Sequence, residues 1–324
     1  MSLATYQEKL SRIVVNTSKG RASPHKICML LALFDLARGG GLRTNRIYFS
    51  APLLERYAGF FAAVSGPGDH ANPYFPFFHL KGKLRGGDAS FWHLIPKPGR
   101  ETVLHAMQKA TSAADIINTV DHATLDPELF QLLQDPHAID ELSAALAAKW
   151  FDRGLTELRI ITARLTEIST YERGIRTASH AVANEPPPAI YIRSPAFRRV
   201  IVEIYDYRCA ATGLRFLTPN GEAMVEAAHI HPFKEAGDDD PRNGIALTPD
   251  MHWAMDRNLI APGPDLKWHV SPLLDGRVPE HHKLVQYDNR PLIGPTDSRM
   301  TPKHESLAWR MNRLKETNWS PGSD

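Results

Sequence analysis

One run constrains this chain more than any other: MVEAAHIHPF at residues 224–233, followed after an acidic loop by MHWAMDRNLI at 251–260. The first segment suits a half-buried strand, whose side chains alternate with period two. In the second, His252 and Asp256 are four apart and share one helical face. Upstream, CAATGLRF and GEAMVEAAHIHP read as two strands joined by a Pro-Asn-Gly turn, a β-hairpin. PAFRRVIVEIYDYR before them is an amphipathic helix with a basic face. The expected order is therefore helix, strand, strand, polar loop, helix, with His229, Asn243 and His252 spaced through it.

The rest of the chain has to house this segment. At 324 residues, 43% hydrophobic and 23% charged, it is long enough for two domains that each bury a core. HKICMLLALFDLARGGG is apolar nearly all round and closes on glycines, as a core helix does. SAPLLERYAGFFAAV begins with Ser and Pro at cap and first-turn positions and reads as another helix. SGPGDHANPYFPFFHLKGKLRGGDASFWHLIPKPGR mixes aromatic clusters with Gly, Pro and basic residues and suggests short strands and loops. From 125 to 180 the pattern is helical, and ASHAVANEPPPAIYIRS is an extended Pro-rich hinge.

A net charge of +2 arises from 38 basic and 36 acidic side chains, so any nucleic-acid footprint must be local. Only Cys28 and Cys209 occur, which excludes a disulfide framework and a four-cysteine zinc knuckle. Together with an N-terminus lacking the apolar core of a signal peptide, and no apolar run of about 20 residues, this leads us to expect a cytoplasmic protein outside the membrane.

The run AAHIHPF…DDDPRNGIALTPDMHWAMD resembles the HNH endonucleases, whose ββα-metal fold sets a His on the second strand, an Asn in the loop and a His on the helix. The resemblance implies a general base at His229, a positioning role for Asn243 and a metal ligand at His252. Many members carry an Asp just before the base; this chain has Ala228 there. Glu226, two residues before Ala228 on the same strand face, is the expected substitute ligand, and Asp256 a further ligand or an orienting partner of His252. His231 is a supporting or merely structural residue, and GDDDPRN a solvated turn. The chemistry would use one divalent cation, Mg²⁺, Mn²⁺, Ni²⁺ or Zn²⁺. No structural zinc is expected, because Cys209 has no partner cysteine.

The first half, through GRASPHKICMLLAL and NPYFPFFHLKGKLRGGDASFWHLIP, resembles the sulfur-binding domains of type IV, McrA-like restriction endonucleases that recognise phosphorothioated DNA. Phe75, Pro76, His79 and Tyr74 would then wall a shallow apolar cavity for the sulfur. Lys19, Arg21, His25, Lys26, Lys81, Lys83, Arg85 and Arg100 would hold the surrounding phosphates. Two family positions differ, being occupied by Phe75 and His79, so another modification or ordinary duplex DNA stays open.

The expected architecture is α+β. A helical N-terminal domain with short β-hairpin strands (1–120) would read DNA, a helical connector would span 121–183, and 184–324 would be a ββα-metal nuclease domain. The expected function is metal-dependent cleavage of modified double-stranded DNA by a restriction enzyme, acting as a homodimer because one site cuts one strand. The alternatives are a DNA-binding protein with a degenerate nuclease site, suggested by Ala228, and an unrelated metal protein using the histidine pair structurally.

Overall fold

The structure is a computed structural model that describes residues 2–18, 21–66, 69–150, 155–177, 188–219 and 221–316. Lys19 and most of the Pro-rich segment expected as a hinge lie outside the described residues. The chain divides into two compact units. One comprises Met1–Arg173 with Thr218–Glu222, and the other Gly174–Leu217 with Ala223–Asp324.

The first unit contains α1 (Leu3–Ser11), the short pair β1 (Thr17–Ser18) and β2 (Arg21–Ala22), α2 (His25–Arg38) and α3 (Ala51–Val64). It continues with α4 (Tyr74–His79), β3 (Trp92–Pro96), α5 (Glu101–Ala106), α6 (Ala113–Thr119), β4 (Val120–Leu125), α7 (Pro127–Leu132), α8 (Pro136–Trp150) and most of α9 (Leu155–Thr177). Helix α2 is buried from Ile27 through Arg38 and packs on α3, α4 and α8, which explains its apolar residues on every face. Strands β3 and β4 pair antiparallel with Trp92 opposite Leu125. β4 thus supplies a strand at the start of the stretch expected to be a helical connector.

YFPFFH, expected among strands and loops, is α4. Pro73 precedes it and Pro76 stands in its first turn, where backbone N–H groups have no intrahelical acceptor and a proline costs little. Pro76, Phe77 and Phe78 are buried, and Phe77 meets Trp92 edge to face at 5.4 Å. Burial of this apolar set, rather than local propensity, holds the short helix. A dry ionic cluster ties three helices together. Arg56 of α3 donates from Nε to Asp35 of α2 at 3.0 Å and from Nη2 to both oxygens of Glu172 of α9, at 2.7 and 2.6 Å.

In the second unit, α10 (Ile190–Ile204) precedes β5 (Glu226–His229), α11 (Phe233–Ala236), β6 (Gly244–Leu247) and α12 (Pro249–Asp256). After these come β7 (Ile260–Pro262), β8 (Trp268–Val270), α13 (His282–Val285) and α14 (His304–Glu316). The strand partner differs from the expected hairpin. β5 pairs antiparallel with β6, Glu226 opposite Leu247 and His229 opposite Gly244, whereas the end of CAATGLRF and the residue after it meet the second segment at its start, through Met224 N–H to the Phe216 carbonyl at 3.1 Å and an isolated bridge of Leu217 with Ala223. All four residues of β6 are buried, since α10 and α12 both pack on the pair. A strand covered on both sides loses the period-two pattern by which sequence reveals it.

The architecture is thus a mixed α and β fold of helices with short antiparallel strand pairs, whose second unit contains a ββα unit of β5, β6 and α12. No described helix is long and apolar enough to cross a membrane.

Candidate active site and nucleic-acid interface

His229 ends β5, Asn243 closes the one-turn 3-10 helix Pro241–Asn243 that leads into β6, and His252 lies on α12. The strand, loop and helix of one ββα unit therefore each carry one of the three expected residues.

The His229 ring is fixed from several directions. Phe197 of α10 stacks on it with ring centres 3.9 Å apart and planes within 3°. Its Nε2 lies 2.7 Å from Oδ1 of Asp239, whose side chain is 0% exposed. Asp239 in turn accepts from Arg193 of α10, at 3.0 and 3.3 Å. Buried carboxylates persist where partners compensate their desolvation, and here a guanidinium and an imidazole do so. Behind the strand, buried Arg310 of α14 donates to the carbonyls of Ile230 at 2.7 Å and His229 at 3.3 Å. Burial holds the Arg310 pKa below its ordinary value.

Asn243, fully buried, does not touch the imidazole of His229. Its Oδ1 accepts from the His231 backbone N–H at 3.0 Å, and its Nδ2 donates to the carbonyls of His231 and Asp238 at 2.9 and 3.0 Å. It ties the end of β5 to the acidic loop and so places Asp239 beside His229. His231 stacks on Trp309 of α14, ring centres 4.2 Å apart, and burial lowers its pKa. That packing gives it a structural setting.

His252 has a carboxylate at each ring nitrogen. Nδ1 is 2.8 Å from Oε2 of Glu226, and Nε2 is 3.5 Å from Oδ2 of Asp256. Glu226, expected as a ligand, thus hydrogen-bonds the far nitrogen of the ring, which leaves Nε2 and Asp256 facing one another. Two donors of one cation at bond lengths of about 2.0–2.1 Å and tetrahedral angles stand roughly 3.4 Å apart, so this pair suits a shared ion. Among the described residues no group of three His, Cys, Asp or Glu side chains is gathered for a metal. The remainder of such a shell would have to come from water and phosphate oxygens. Ala228, where a carboxylate was missed, is buried.

Sequence reasoning overlooked Asp239, Arg193 and Phe197. GDDDPRN looked like a solvated turn, yet each aspartate has its own cation. Asp238 pairs with Lys303, Asp239 with Arg193, and Asp240 with Arg242 at 2.6 Å. Nothing local singles out the middle one. Phe197 lay on the expected amphipathic helix, but Arg193 fell in the stretch expected to be an extended hinge, whose residues from Ile190 onward instead form the start of α10.

In the first unit, a cavity of about 390 Å³ is lined by Val14, Val15, Asn16, Ser23, His25, Lys26, Asn72, Phe75, Pro76 and His79. It brings together five of the residues expected to read DNA: His25, Lys26, Phe75, Pro76 and His79. His25 bonds Ser23 Oγ at 2.8 Å through Nδ1 and the His70 carbonyl at 3.0 Å through Nε2. Lys26 donates to the Val14 carbonyl at 2.8 Å, and burial lowers its pKa. The His79 pKa is lowered by burial and then by Lys26 and Lys81 nearby, and its buried Nε2 has no hydrogen-bond partner among the described residues.

The other expected readers lie outside that lining. Tyr74 packs on the core, and Lys81 sits 3.9 Å above the Phe78 ring with its pKa lowered by burial. Lys83, Arg85 and Arg100 are exposed, and the backbone of Arg21 pairs with Ser18.

Comparison with known proteins falls on the second unit's site. Residues 209–261 match the family model described as HNH endonuclease. A solved structure described as the modification dependent TagI restriction endonuclease is similar at 19% identity and a TM-score of 0.30. That similarity covers 45% of this chain and 46% of the other, so the match spans less than half of that enzyme. No curated protein matches the sequence. The matched segment contains β5, the acidic loop, β6 and α12 with their two histidines and asparagine. Residues 209–261 are an HNH endonuclease domain.

Proposed function

We propose that the protein is a divalent-metal-dependent restriction endonuclease that cuts double-stranded DNA bearing a phosphorothioate or another modification. The observation that carries this reading is the convergence of His229, Asn243 and His252 on β5, the acidic loop, β6 and α12 within the matched segment. In this reading 184–324 cuts, 1–120 reads, and 121–183 lies between. A homodimer supplies a site for each strand.

His229 is the base. Asp239, as a carboxylate paired with Arg193, accepts from Nε2, so the proton sits on Nε2 and Nδ1 offers its lone pair to a water. Asn243 holds the loop that carries Asp239. His252 Nε2 and Asp256 would hold the cation, with Glu226 fixing the His252 tautomer from Nδ1, as a carboxylate behind a metal-bound imidazole does. The cation, when bound, neutralises charge on the phosphate and on the leaving oxygen.

The cavity of the first unit supplies selectivity. Its wall of Val14, Val15, Phe75 and Pro76 suits a soft, weakly hydrated substituent, while His25 and Lys26 suit the phosphate that bears it. Exposed Lys83, Arg85 and Arg100 add phosphate contacts that fix position without reading sequence.

The test compares phosphorothioated, methylated and unmodified plasmids with Mg²⁺, Mn²⁺, Ni²⁺ and Zn²⁺, using wild type and His229→Ala. Metal-dependent cleavage of one modified plasmid is expected, reduced by about 10²–10⁴-fold or more in His229→Ala. A folded His229→Ala protein that cuts at the wild-type rate would refute the base assignment, and equal cutting of all plasmids would refute the reader.

A further inference from the structure

We propose that Asp239 is a positioning residue of the nuclease reaction, with Arg193 as its anchor. The inference rests on the reading of His229 as base and adds what makes that imidazole competent. The Asp239 side chain is wholly buried, yet it belongs to an acidic loop whose neighbouring aspartates each pair with a more exposed cation. Two of its partners differ in kind. Arg193, at 3.0 Å, answers the charge, and His229 Nε2, at 2.7 Å, accounts for the aim.

A carboxylate facing Nε2 permits only the tautomer with the proton there, because the opposite tautomer would set a lone pair against the carboxylate oxygens. Phe197 fixes the ring plane and Asp239 fixes rotation within it, so the remaining nitrogen, Nδ1, points in one direction. In the cutting step a water proton passes to Nδ1 as the water oxygen bonds to phosphorus. The bond from phosphorus to O3′ breaks, and its electron pair leaves with O3′. The ring becomes an imidazolium whose Nε2–H already donates to Asp239, a charge-assisted hydrogen bond that strengthens as the proton arrives. Asp239 does not touch the substrate. It acts through His229, and Arg193 makes its burial tolerable.

The alternative is a purely structural ion pair that closes the loop onto α10. The two accounts separate with full-length protein, plasmid nicking kinetics in Mn²⁺, and ¹⁵N spectra of the His229 ring, for wild type, His229→Ala, Asp239→Asn and Arg193→Gln/Asp239→Asn. The amide of Asp239→Asn can present either a donor or an acceptor to Nε2. Positioning by Asp239 therefore predicts a mixed His229 tautomer and a kcat lowered by about 100-fold or more, with KM unchanged. The double variant removes both charges. Should Asp239→Asn fail to fold, the double variant replaces it with the same expectation. A folded variant with a single Nε2–H tautomer and wild-type kcat overturns the proposal. If wild type does not nick, or His229→Ala nicks equally well, the base reading fails, and the tautomer spectra alone decide whether Asp239 holds the ring.

Discussion

At the residue scale, the two histidines of the ββα unit have carboxylate partners with opposite consequences. Asp239 is fully buried and reaches Nε2 of His229, whereas Glu226, 51% exposed, reaches Nδ1 of His252. In the proposed reading the first arrangement leaves Nδ1 for proton transfer, and the second leaves Nε2 for a cation. If Asp256 is the ligand and Glu226 the orienting group, their substitutions separate. Asp256→Asn should raise the metal concentration giving half-maximal cleavage by about 10–100-fold, with the rate at saturating metal less affected. Glu226→Gln keeps a hydrogen-bonding oxygen and should shift the midpoint by less. Metal titrations of cleavage check both, and the reverse ranking would return Glu226 to the ligand shell.

At the element scale, packing against α10 sets the geometry of β5 and β6. Gly244 lies opposite His229, and a Cβ there would run into Ile201 Cδ1 and stand 2.8 Å from Phe197 Cζ. Gly244→Ala should therefore destabilise the second unit by about 1–3 kcal/mol and push Phe197 off the His229 ring, lowering cleavage as well. Denaturant unfolding and nicking rates would measure the two effects; an unchanged rate would mean that the stacked ring is dispensable. The same elements mark how far sequence could be read. Periodicity revealed α2, α3, α10, β5 and α12, because each buries one face or is buried throughout over a sufficient length. It missed β6, four residues buried on both sides, and α4, six residues with a proline in the first turn. His229, Asn243 and His252 were legible as an ordered motif. Asp239 was not, since its partner Arg193 lies 46 residues away and adjacent aspartates look alike.

At the scale of the whole molecule, each unit keeps its own charged groups out of water. In the first, Arg56 stands between Asp35 and Glu172 with side chains exposed by 2%, 4% and 0%. Removing the cation from such a cluster takes the shared guanidinium from two buried carboxylates, a loss of the kind that costs about 3–5 kcal/mol. Arg56→Ala should lower the unfolding midpoint of the first unit accordingly while leaving the nuclease chemistry proposed for the second to be assayed on nonspecific DNA.

Acid should test both units at once through two histidines. Burial is the leading cause that holds the pKa of His79 in the first unit, and of His231 in the second, below the ordinary imidazole value of about 6.5. With the folded pKa depressed, the unfolded chain binds more protons than the native one in the window just below that value. Stability is then fully present above about pH 6.5 and is lost as pH falls through the folded pKa values. Carboxylates with lowered pKa, such as Asp126, act the same way only at still lower pH, below about 4. Between pH 7.5 and 5.5 the histidines dominate, so scanning calorimetry should record lower unfolding temperatures at pH 5.5. The drop should shrink in His79→Gln for the first unit and in His231→Gln for the second. A decline that persists undiminished in both variants would place the acid sensitivity elsewhere. If His79 alone governs the first unit, a bound anion in the cavity beside it should oppose the loss by favouring the protonated ring, which makes calorimetry with and without modified DNA at pH 5.5 a direct probe of what the pocket takes.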